Sequence, residues 1–90
     1  MTWRIEFEEA AKKEFARLDR QAQIGIQRFL RERIATDEDP RRFGGPLRLN
    51  LSGLWKYRIG DYRVVCDIQE ETVLVLVLCV GHRRTVYGGH

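Results

Sequence analysis

Lys56, Arg58 and Arg63 stand on either side of Gly60-Asp61 in the run Trp55-Lys56-Tyr57-Arg58-Ile59-Gly60-Asp61-Tyr62-Arg63-Val64-Val65. Gly at the first central position of a two-residue loop accepts the positive φ of a type II′ turn, which closes a tight hairpin. Pairs then step outward from the turn: Ile59 with Tyr62, Arg58 with Arg63, Tyr57 with Val64, Lys56 with Val65. Because side chains alternate faces along a strand, Trp55, Tyr57, Ile59, Tyr62, Val64 and Cys66 share one mostly apolar face, and Lys56, Arg58 and Arg63 share the other. Like charges set opposite one another cost a few tenths to about 1 kcal/mol in a sheet. An anion between them relieves that cost, and phosphate, which Arg grips with two parallel hydrogen bonds, is the anion this geometry suits.

Further candidates follow in Val80-Gly81-His82-Arg83-Arg84-Thr85-Val86-Tyr87. If Ile68 pairs with Val73, Arg63 lies opposite Leu78, and the Lys56 face continues through Leu74, Leu76, Leu78 and Val80 to His82. Gly81 admits a bulge, so parity leaves open which of Arg83 and Arg84 faces the cations. Together these residues cover what metal-free RNA cleavage demands: a base for the 2′-OH proton, cations for the phosphorane as O2′ attacks, and a proton for the departing 5′-oxygen. Lys56 or His82 would be the base, the former because neighbouring cations disfavour an ammonium. Arg63 and Arg58 would hold the phosphate. The chain has no Gly-rich phosphate loop, and its two histidines, His82 and His90, lack ligand spacing, so neither a cofactor nor a metal is expected.

The elements that must position these residues are legible from pattern. Ninety residues, 43% hydrophobic and 32% charged, suffice for one globular domain spanning 1–90 with a modest core. Trp3 to Phe7 alternates apolar and polar, as a half-buried strand does. Ala11, Phe15 and Leu18 recur at helical spacing, predicting a helix from about Glu8 to Leu18. Asp19 is placed to cap a second, with Ala22, Ile26, Phe29, Leu30 and Ile34 inward through about Ala35. Pro40 ends that segment, and Arg41 to Pro46, with Gly44-Gly45-Pro46, reads as the loosest part of the chain. Leu47 to Leu51 alternates as a strand. The continuously apolar Val73 to Val80 reads as a strand interior to the sheet. The predicted class is α+β: an N-terminal strand, an αα-hairpin packed on the sheet's apolar face, and a four-strand, mostly antiparallel sheet, in the order β-α-α-β-β-β-β.

Charge is unevenly spread. Residues 1–39 carry eight Lys/Arg against nine Asp/Glu, residues 40–90 eight against four, so the basic half suits nucleic acid or another polyanion. Charged residues within the first ten exclude a signal-peptide apolar region, and an eight-residue apolar run is too short to span a bilayer. A cytoplasmic protein with no membrane partner and reduced cysteines is expected. The same register keeps Cys66 and Cys79 too far apart for a disulfide.

The two quoted runs, at their spacing near the end of a 90-residue chain, resemble the RelE/ParE toxin superfamily of bacterial type II toxin–antitoxin systems, over nearly the whole chain. For its RelE-like mRNA interferase branch the resemblance implies metal-independent endonucleolytic cleavage of mRNA in the A site of the 70S ribosome, neutralised by a cognate RelB-like antitoxin that wraps the toxin. It implies Lys56 as general base, Arg63 as phosphate clamp, Arg83 as transition-state stabiliser or acid, and Tyr87 as a stacking partner for a base. Arg58, Arg84 and Arg48 become substrate-binding candidates, and His82, which stands where some members have Lys, joins the catalytic set. The alternative within the superfamily is a ParE-like inhibitor of DNA gyrase with the same fold and no RNA cleavage.

Overall fold

The computed structural model describes residues 1–47 and 54–82. Strand β1 (Arg4–Phe7) leads into helices α1 (Glu9–Ala16) and α2 (Arg20–Phe29). The chain continues through a π-helical turn at Leu30–Ile34, a 3-10 turn at Pro40–Arg42, and strands β2 (Gly45–Pro46), β3 (Leu54–Ile59), β4 (Tyr62–Gln69) and β5 (Leu74–His82). These strands form one five-stranded sheet in the order β1-β5-β4-β3-β2. β1 runs parallel to β5, and the remaining pairs are antiparallel. The α+β class and the interior position expected for the apolar strand both hold.

The helical hairpin forms where the sequence marks it. The Asp19 carboxylate accepts the Ala22 N–H at 2.8 Å, capping α2, and Gln23 donates to the Phe15 carbonyl at 3.0 Å, tying α2 to the end of α1. Ala11, Ile26, Leu30 and Ile34 pack on Tyr57, Val64, Cys66, Ile68, Val75, Val77 and Val80, so both helices cover one face of the sheet. The end of α2 departs from the expected regular helix through Ala35: there the Ala35 N–H reaches back five residues to the Leu30 carbonyl at 2.8 Å.

The segment read as loosest is pinned. The Tyr57 hydroxyl donates to the Pro40 carbonyl at 2.7 Å, and the Trp55 indole donates to the Phe43 carbonyl at 2.6 Å. Gly44 has φ 73°, and a Cβ there would collide with the Lys56 carbonyl. The Gly-Gly-Pro run is therefore a close backbone approach that lets β2 pair with Trp55 and Lys56. Of the strand expected at Leu47 to Leu51, Leu47 donates to the Leu54 carbonyl; its remaining residues lie outside the described ones.

The β3–β4 hairpin has the expected register, with Arg58 opposite Arg63. Gly60 has φ 60° while Asp61 keeps a negative φ, as a type II′ turn requires. The β4–β5 register differs. Gln69 pairs with Leu74 and Ile68 with Val75, because the chain turns through Glu70 to Val73, with Val73 at φ 51°. A second shift follows, since Cys66 faces Val77 but Val65 faces Cys79, which leaves Leu78 as an extra residue in β5. That bulge inverts parity beyond it.

Cys66 is buried on the helix side and Cys79 is exposed on the opposite face, both as free thiols. Burial pushes both thiols above their ordinary value; at Cys79 the Glu14 and Glu8 carboxylates add to it. An aromatic disulfide reagent is therefore expected to titrate one thiol in the native protein and two in denaturant, the native reaction being slow at neutral pH and faster as pH rises. Two equally fast native thiols would be incompatible with this register.

Candidate functional site

On the face opposite the helices, β3 contributes Lys56 and Arg58, and β4 contributes Arg63 and Val65. Lys56 lies opposite Val65, which lies opposite Cys79; Arg58 lies opposite Arg63, which lies opposite Gly81. Two rows thus cross three strands, one with a cation at its edge, the other with two guanidinium groups and then a residue lacking a side chain. Directly opposed residues have Cβ atoms about 4.5–5.5 Å apart, so Arg58 and Arg63 can hold one anion between them. Val65, between the Lys56 and Arg63 rows, is buried on this face. Arg58 is exposed, whereas Lys56 and Arg63 are half-buried, the Nε of Arg63 lying inside the surface. Such bedding restricts a long side chain and leaves its charged head presented.

Local structure explains why the cations are fixed here. The Gly60-Asp61 turn sets Arg58 against Arg63, and Gly44 allows β2 to lie against the backbone of Lys56. On the other face, Tyr57 is fully buried between its two cationic neighbours in sequence, clamping β3 to the core.

His82 corrects an expectation. The extra residue at Leu78 turns Val80 and His82 toward the helix side, where Val80 is buried and His82 lies opposite Tyr62, their rings 5.6 Å apart and edge to face. His82 therefore does not share the face of Lys56, Arg58 and Arg63. Gly81 takes the place beside Arg63 that the expected register gave to Leu78. Arg48, Arg83, Arg84 and Tyr87 lie outside the described residues. Sequence reasoning gave neither Gly81 nor Cys79 a place on this face, because their places depend on a bulge at Leu78 inside an unbroken apolar run.

Comparison with known proteins decides the family. Residues 5–87 match the family model of the ParE toxin of type II toxin–antitoxin systems. The chain belongs to that family, within the RelE/ParE superfamily. The toxin is 29% identical over 87 residues to Toxin RelG of Mycobacterium tuberculosis, covering 97% of this chain and 98% of that one. Its fold superposes on the toxin–antitoxin complex RelBE2 of the same organism with a TM-score of 0.81 at 28% identity, covering 92% of this chain and 93% of that chain. The isolated RelE toxin of E. coli gives a TM-score of 0.71 at 25% identity, covering 97% and 93% of the two chains.

Proposed function

We propose that this toxin is a ribosome-dependent, metal-independent mRNA endonuclease that cuts in the A site and so arrests translation in the cytoplasm. The observation that carries the reading is the crossing of Lys56, Arg58 and Arg63 on the sheet face away from the helices, beside the side-chain-free Gly81. Likeness to RelG and RelE toxins supports the same branch. In this reading Lys56 takes the 2′-OH proton, since His82 stands on the other face. O2′ then attacks phosphorus, the bond to the 5′-oxygen breaks, and Arg63 with Arg58 balances the charge on the phosphorane. Arg83 would stabilise or protonate the departing oxygen and Tyr87 would stack on a base, with Arg84 and Arg48 contacting the RNA backbone. A RelB-like antitoxin is the expected protein partner, as in the M. tuberculosis RelBE2 complex. Among the described residues no helix is long and apolar enough to cross a membrane.

Primer extension on an mRNA under translation should show new 5′ ends within codons when the toxin is added, and none on the same mRNA without ribosomes. The match to the ParE family model favours one second reading, inhibition of DNA gyrase. Loss of supercoiling by purified gyrase, with mRNA intact and growth arrested, would establish that reading in place of the nuclease.

A further inference from the structure

β5 outruns its parallel partner. The last pair with β1 is Phe7 with Val77, and the Glu8 N–H closes the ladder on the Val77 carbonyl at 2.9 Å. Beyond that point, among the described residues, the strand is paired through β4 alone, and its outward N–H groups need another acceptor. The Glu14 carboxylate of α1 supplies one, accepting the Val80 N–H at 2.8 Å across 66 residues of sequence. This contact falls two residues after the extra residue Leu78.

The position of that bulge decides what stands next to Arg63. Continuing the Cys66–Val77 register without it would set Val80 opposite Arg63 and turn Cys79 toward the core. With it, Gly81 lies opposite Arg63, Cys79 is exposed and Val80 is buried. A branched side chain opposite Arg63 would stand where an anion has to sit, and glycine places none there.

We infer that Glu14 is a positioning residue for the cationic face: by holding the Val80 amide it fixes the β5 bulge that keeps Gly81, and no side chain, beside Arg63. The role rests on the proposed phosphate chemistry of that face. Glu14 touches none of the reacting atoms. It substitutes for the missing continuation of β1, and a carboxylate suits the task because a hydrogen bond to an ionised acceptor is stronger than one to a neutral carbonyl.

The test uses full-length Glu14→Ala and Glu14→Gln toxin with two readouts, amide exchange at Val80 and cleavage on programmed ribosomes. Glu14→Ala should speed Val80 exchange by about tenfold or more and lower kcat about tenfold with KM for the ribosome within about twofold. Glu14→Gln, which keeps an oxygen acceptor, should restore most of both. Unchanged Val80 exchange in Glu14→Ala overturns the inference whatever the cleavage rate. Faster exchange with full cleavage overturns it too, and so does a Gln variant as impaired as Ala. A wild type that cleaves nothing while the thermal melt is intact overturns the nuclease reading and this role with it; a cleaving wild type with indifferent variants overturns this role alone.

Discussion

Replacing Arg63 with Ala is expected to slow mRNA cleavage on the ribosome by about 10²–10³-fold, the usual cost of removing one preorganised donor to a charge that develops in the transition state. Arg63 sits mid-sheet, half-buried, between Arg58 on one side and Gly81 on the other. Its backbone is paired with strands on both sides, whereas among the described residues Arg58 has a ladder partner on β4 alone. Lys at this position keeps the charge and loses the planar fork, so Arg63→Lys should fall between wild type and Ala. Arg58 is exposed at the hairpin end, where water and salt screen its charge. Arg58→Ala should therefore cost less, about tenfold, and its effect should shrink with added salt. Single-turnover cleavage of a programmed ribosome measures all three, with a thermal melt beside each. An Arg63→Ala toxin that cleaves within a few-fold of wild type removes this residue from the mechanism. A collapsed melt would show instead that its stem serves the fold.

The cationic face was legible because a two-residue turn leaves no freedom. Gly60-Asp61 fixes the register, and strict alternation then sorts Tyr57 and Val64 to the core and Lys56, Arg58 and Arg63 to the other face. The next strand offered no such constraint. Val73 to Val80 is apolar at every position, so neither face is marked and a shift of two residues or a bulge at Leu78 changes nothing in the pattern. The groups that fix it lie elsewhere: the Glu70 to Val73 turn, whose Val73 carbonyl accepts the Arg4 N–H, and the Glu14 carboxylate on Val80. Long-range side-chain-to-backbone bonds leave no local signature, which is why His82 was expected beside Lys56 and is found beside Tyr62. The same blindness made Arg41 to Pro46 look loose. Its anchors are Trp55 and Tyr57, donors on β3 that a Gly-Pro count does not see.

Tyr57 joins the core to the site, and removing its side chain should have the largest effect on stability. It is fully buried, its ring 5.5 Å from that of Phe29, and its hydroxyl is bonded to Pro40. Tyr57→Ala should cost about 3–5 kcal/mol, as large-to-small changes of core aromatics do, against a total of roughly 5–15 kcal/mol for a domain. The melting temperature should then fall by on the order of 20 °C. Tyr57→Phe keeps the ring but leaves the Pro40 carbonyl without its donor, at a cost of about 1–3 kcal/mol. Burial, then the neighbouring Cys66 thiol, pushes the Tyr57 phenol well above its ordinary range; Arg41 opposes this and Asp39 adds to it. Since the folded state holds this proton more tightly than the unfolded chain, the phenol's contribution is complete below pH about 10 and is lost as pH rises beyond it. Tyr57→Phe has no proton to lose. Denaturant titrations from pH 8 to pH 11 should thus show the stability gap between wild type and Tyr57→Phe constant up to about pH 10 and then narrowing by up to about 1.4 kcal/mol per pH unit. The buried Cys66 thiol, also pushed up, weakens both proteins alike and cancels from the difference. A gap that stays level to pH 11 would mean that the phenol ionises as readily in the folded toxin as in the unfolded chain, and that Tyr57 is not sealed in the core against Phe29 and Pro40.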